Sequence, residues 1–112
     1  MYKHVIADLK NCDPAALVWD ESKFALIEEA VNRVSTVLGS RHHVFDNGAY
    51  TAVLLLAESH FSIHTWPEHS SCCFDLFTCG DADPLVAATA IAVYLGVPHP
   101  EPALFTVISR SY

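Results

Sequence analysis

Residues 59–66 fix the kind of fold open to this chain. His60, Ser62 and His64 alternate with Phe61 and Ile63, and Pro67 closes the run. A two-residue period marks a strand with one face on a core and the other uncovered. Antiparallel sheets tolerate such a solvated face. The neighbouring segments fit that frame. His4 to Leu9 reads as a strand, ended by Asn11, Asp13 and Pro14. Thr51 to Ala57 and Ser71 to Cys79 read the same way, as do the shorter candidates Arg41 to Phe45 and Leu104 to Ser109. Asp46-Asn47-Gly48 is a hairpin signal, because Gly supplies the positive φ that tight turns need.

Two helices interrupt the strands. Phe24, Ile27, Val31, Val34 and Leu38 form a helical stripe over Glu21 to Leu38, with Asp20 to cap its start and Gly39 its end. Asp83-Pro84 opens a second helix that runs to Leu95 and stops at Gly96. Pro98, Pro100 and Pro102 make a stiff connector. The expected order is β-α-β-β-β-α-β: an α+β, two-layer sandwich, an antiparallel sheet with two helices on one face. A sheet face left open in so small a domain suggests a dimer.

The 112 residues suit one domain, 1–112, and 52% apolar with 17% charged residues excludes intrinsic disorder. The net charge of −7, with histidines neutral, weighs against nucleic-acid or anionic-membrane partners. The nearly polar-free run Leu85 to Val97 is too short to span a bilayer, and Met1 to Ala7 lacks the apolar segment of an export signal. The cytoplasm is the expected compartment. Cys12, Cys72, Cys73 and Cys79 are accordingly expected as free thiols.

The segment from Ala57 to Glu68 carries the chemistry: two histidines, two serines and two carboxylates around one strand. It reads Glu58-Ser59-His60, then Ile63-His64-Thr65-Trp66-Pro67-Glu68, and Phe77-Thr78-Cys79-Gly80 follows. These three parts, at these intervals, resemble the S-adenosylmethionine decarboxylase proenzyme family, in its short prokaryotic, pyruvoyl-dependent type. The resemblance runs from His4-Val5-Ile6-Ala7-Asp8 to the second helix.

The resemblance implies an enzyme that makes its own cofactor. The Oγ of Ser59 attacks the Glu58 carbonyl and turns the peptide into an ester; loss of the Ser59 α-proton eliminates the ester. The dehydroalanine left behind hydrolyses to a pyruvoyl group capping an α chain of residues 59–112, and residues 1–58 become the β chain. A tight bend after Ala57 would supply the distortion that unstrained peptides lack. His64 is the implied acid/base for processing, and Thr51 falls where the family usually carries a supporting serine. Residues 59 and 64 differ by an odd number, so a regular strand places them on opposite faces; a bulge or bend is expected. The pyruvoyl carbonyl then forms a Schiff base with a substrate amine, CO₂ departs, and Cys79 matches the family's proton donor. Phe45 matches an aromatic that stacks on adenine, Trp66 offers a face to a sulfonium cation, and Glu68 matches a carboxylate for ribose hydroxyls. The implied product is the aminopropyl donor for spermidine synthesis.

Other readings of the same residues differ in chemistry. Ser59 could be a plain turn serine, His64 a polar residue on a wet strand face, and Cys79 a small core residue. Phe45 and Trp66 could be core aromatics, and Glu68 a solvated carboxylate. A metal centre is disfavoured, because His60 and His64 on one strand lie about 13 Å apart, too far for one ion. A pyruvoyl-dependent decarboxylase of ornithine or arginine would need the same Ser59, His64 and Cys79. Thr51 and the Cys72-Cys73 pair depart from the family pattern and leave that substrate open. An unprocessed, non-enzymatic paralogue is disfavoured by the retention of all three residues.

Overall fold

A computed structural model describes residues 1–111. Its elements are β1 (Tyr2–Leu9), α1 (Glu21–Asn32), β2 (Val37–Val44), β3 (Tyr50–Leu56), β4 (Ser59–Trp66), β5 (Ser71–Cys79), α2 (Pro84–Tyr94) and β6 (Phe105–Arg110). The strands form one antiparallel sheet in the order β2-β3-β4-β5-β1-β6. Both helices pack on one face, which gives the expected α+β sandwich. The order differs from expectation by one strand: four, not three, lie between the helices. All four correspond to segments named above, β2 to the shorter Arg41 to Phe45; it starts four residues earlier, at Val37, within the span expected for the first helix.

The core lies between sheet and helices. Val5, Leu54, Phe61, Ile63 and Leu76 point into it from the strands, and Ile27, Val31, Ala88, Ile91 and Ala92 meet them from the helices. Fully burying a side chain such as Ile63 or Phe61 contributes about 1.5–3 kcal/mol. Small residues on α2 let its backbone approach the sheet. Helix starts follow local chemistry: the Asp20 carboxylate accepts from the Ser22 and Lys23 N–H groups at 3.0 and 3.1 Å. Asp83 accepts from Leu85 N–H at 3.0 Å, and Pro84 fills the first turn. Gly96 ends α2 at φ +92°, where a Cβ would meet the Asp13 amide nitrogen at 2.6 Å.

Helix α1 stops six residues short of the expected Leu38. The Asn32 side chain accepts from Val37 N–H at 3.0 Å and turns the chain into β2. Val34 continues the helical spacing yet packs on the core from the turn. Leu38 stands exposed in β2, and Gly39 marks a register shift in that strand, not a helix cap. Among the described residues, no helix is long and apolar enough to cross a membrane.

The second face of the sheet is open. In β4 the alternation buries Ser59, Phe61, Ile63 and Thr65 and leaves His60, Ser62, His64 and Trp66 outward. Val53, Leu55 and Ile108 share that outward face and are 44%, 62% and 42% exposed.

Candidate active site

The link between β3 and β4 is two residues long, Ala57 and Glu58, with Leu56 paired to Ser59. Two-residue hairpins that match strand twist carry positive φ at the first, or both, central residues. Here only the second does: Glu58 has φ +57°. For a side chain larger than Gly this conformation costs about 1–2 kcal/mol. The bend expected before Ser59 is therefore present, and its strained residue contributes the carbonyl of the Glu58–Ser59 peptide. Ser59 itself is 8% exposed. Its hydroxyl donates to Cys79 Sγ at 3.9 Å, and the Cys79 thiol donates to the Glu58 carboxylate at 3.7 Å. Glu58, Ser59 and Cys79 thus form one cluster at the start of β4.

A second cluster forms at the other end of the strand. Thr51 and His64 are directly paired across β3 and β4, and Thr51 Oγ1 lies 3.1 Å from His64 Nδ1. Phe45, Thr51, His64, Trp66 and Glu68 line one pocket of about 450 Å³, together with Asn47. The His64 and Trp66 rings, two residues apart on one face, have centroids 6.2 Å apart. Phe45 and Trp66 are 51% and 39% exposed, so neither spends its ring on the core. Asn47 went unnoticed as more than a turn residue. Its amide donates to Glu68 Oε2 at 2.9 Å and its carbonyl accepts from Ala49 N–H, so the turn aims the carboxylate into the pocket.

The two clusters stay apart within one chain. No bulge interrupts the pairing of β4 with either neighbour, so of the two distortions expected only the bend at the Glu58–Ser59 link is present. Five residues of extended strand separate Ser59 from His64 by roughly 16 Å, and their side chains leave opposite faces. A hairpin this tight is finished by residue 59, and the buried Phe61 and Ile63 hold the rest in register.

The remaining cysteines belong to packing. All four are free thiols. Burial pushes the Cys12 and Cys72 thiols upward in pKa, and burial, then the nearby Asp8, raises Cys73 to about 11. None of these three is poised as a nucleophile.

Comparison with known proteins places the whole chain in one family. The family model described as S-adenosylmethionine decarboxylase matches residues 3–104. The chain is 40% identical over 108 residues to the S-adenosylmethionine decarboxylase proenzyme of Methanococcus aeolicus, covering 95% of this chain and 88% of that one. It is 39% identical over 90 residues to the proenzyme of the same name from Thermodesulfovibrio yellowstonii, covering 79% and 67%. The crystal structure of the adenosylmethionine decarboxylase from Aquifex aeolicus VF5 superposes with a TM-score of 0.83 at 32% identity, covering 100% of this chain and 92% of that one. Fold and family match together define the class, a decarboxylase. The chain belongs to the S-adenosylmethionine decarboxylase family.

Proposed function

We propose that the chain cuts itself between Glu58 and Ser59 and then decarboxylates S-adenosylmethionine. The observation that carries this reading is the left-handed backbone of Glu58 immediately before Ser59. The Ser59 Oγ adds to the Glu58 carbonyl, and the amide nitrogen leaves as the ester forms. Removal of the Ser59 α-proton expels the Glu58 carboxylate, and hydrolysis with loss of ammonia leaves the pyruvoyl group on residues 59–112. That group supplies an electrophilic carbonyl that draws electrons from the substrate α-carbon so that CO₂ can leave. Cys79, already in reach of Ser59, holds the proton that is returned to that carbon. The rings of Phe45 and Trp66 suit adenine and a sulfonium, and Glu68, aimed by Asn47, suits a vicinal diol. This lining favours a nucleoside over ornithine or arginine.

Two copies are needed for one site. His64 is too far from Ser59 of its own chain to serve it. The inferred homodimer brings the Glu58–Ser59 link of one copy, at the hairpin end of the sheet, to the His64 and Trp66 end of the other. The exposed Val53, Leu55 and Ile108 are the apolar surface such a homodimer would cover. Four free thiols fit a reducing compartment such as the cytoplasm.

Intact mass spectrometry and release of labelled CO₂ test the reading. Wild type gives two pieces that meet at the 58–59 link, Ser59→Ala gives only the whole chain, and S-adenosylmethionine is preferred to ornithine and arginine. Co-folding Ser59→Ala with His64→Ala chains restores cutting of the His64→Ala chain. An uncut wild type with full activity would sink the proposal. Preference for a free amino acid would reject the substrate, and failure of the mixed chains would reject the shared site.

A further inference from the structure

The open face carries a polar cluster that the decarboxylase reading does not use. His60 in β4 and His4 in β1 are both paired to Phe77 of β5, one on each side. Each histidine ring leans on that phenylalanine with centroids 5.6 Å apart, His60 stacked and His4 edge-on. Both then reach diagonally to Asp75, two residues back along β5. His4 Nε2 lies 2.6 Å and His60 Nε2 2.8 Å from the same oxygen, Asp75 Oδ2. The other Asp75 oxygen accepts from the Ser62 hydroxyl, its direct partner across the strands. Three metal-ligating atoms from three strands therefore lie within 4.8 Å of one another.

We propose that His4, His60 and Asp75 bind a late first-row divalent cation, zinc above all, on the open face of the sheet. Two imidazoles and a carboxylate are a donor set such ions favour, and three protein ligands leave a position for water. Tetrahedral zinc with bonds of about 2.0–2.1 Å holds its ligands roughly 3.3 Å apart. To admit the ion the two carboxylate contacts, 2.6 and 2.8 Å, open by less than about 1 Å, and the widest ligand pair, within 4.8 Å, closes by up to about 1.5 Å. The sheet fixes the spacing of the ligands, Phe77 fixes the ring planes, and Ser62 fixes the carboxylate, as outer-shell partners do in built sites. In a single chain the side chains of His4, Asp75 and His60 are 17%, 23% and 46% exposed, so an ion can enter before a second copy covers this face. His60 and His64 lie too far apart on one strand to share an ion, but the fold sets His60 near His4 of β1, on the other side of β5.

The inference is independent of cleavage and of substrate, so binding is read directly. The full chain is stripped with a chelator and titrated with zinc by calorimetry and with cobalt(II) by absorption. One ion per chain is expected, with a cobalt spectrum of nitrogen and oxygen ligation and no thiolate charge-transfer band. Ser62→Ala weakens binding by about 10- to 100-fold, and Asp75→Asn or His4→Gln by at least as much, with circular dichroism unchanged. Absence of one-to-one binding, a thiolate band, or binding that survives Asp75→Asn and His4→Gln would overturn the site and leave a hydrogen-bonded network alone.

Discussion

Glu58→Gly separates backbone strain from side-chain chemistry at the scissile link. Glycine adopts φ +57° without the 1–2 kcal/mol, roughly, that a Cβ incurs there. The bond that breaks follows directly on this residue. Relief of strain in the uncut chain therefore raises the barrier to attack by the same amount. At about 1.4 kcal/mol per factor of ten, cutting slows about 5- to 30-fold. On a Ser59→Ala background, where no cut occurs, the same change acts on stability alone. The relief is opposed by about 0.5–1 kcal/mol of extra backbone freedom in the unfolded glycine chain, for a net gain near 0.5 kcal/mol. Glu58→Gln is the control, since it keeps the Cβ and removes only the charge that faces Cys79 at 3.7 Å. The assay follows intact mass against time after refolding, with urea unfolding of the Ser59→Ala pair. Cutting of Glu58→Gly at the wild-type rate, with Glu58→Gln slowed, would refute the strain argument and give the role to the carboxylate.

Two further outcomes follow from the outward face. Thr51→Val removes the hydroxyl 3.1 Å from His64 and slows processing about tenfold or more, while Thr51→Ser keeps it near wild type; equal rates for both variants would remove Thr51 from the reaction. Burial raises the Asp75 pKa, but the hydrogen bonds from Ser62, His4 and His60 together outweigh it and leave the group below its ordinary value. A carboxylate held down in the fold stabilises above its unfolded pKa of about 3.9 and loses that contribution as pH falls through the folded value. In chelator, the difference in urea midpoint between wild type and Asp75→Asn should narrow below about pH 4. A difference that is flat with pH contradicts the lowered pKa.

Much of the architecture was legible because local chemistry specifies it. The alternation of β4, the Asp20 and Asp83 caps and the Asp46-Asn47-Gly48 turn each act within a few residues, and the structure keeps them. The end of α1 was misread because Val34 and Leu38 continue a helical spacing by coincidence, while the Asn32 side chain decides where the helix stops. The residues of the candidate site were named by resemblance to a family signature, carried by Glu58-Ser59-His60, His64 through Glu68 and Cys79, not by periodicity.

Sequence alone thus determined which side of its strand each residue takes, since a two-residue period assigns each side chain a face, while the residues of the pocket rim were named by resemblance to a family. The tertiary structure decided which of them meet. It puts Ser59 and His64 on opposite faces of an unbroken strand, gathers Phe45, Thr51 and Glu68 into one pocket, and sets His4 against Asp75 across 71 residues of chain. Those distances come from strand pairing, which depends on the whole sheet closing over one core, and no local run of residues encodes it.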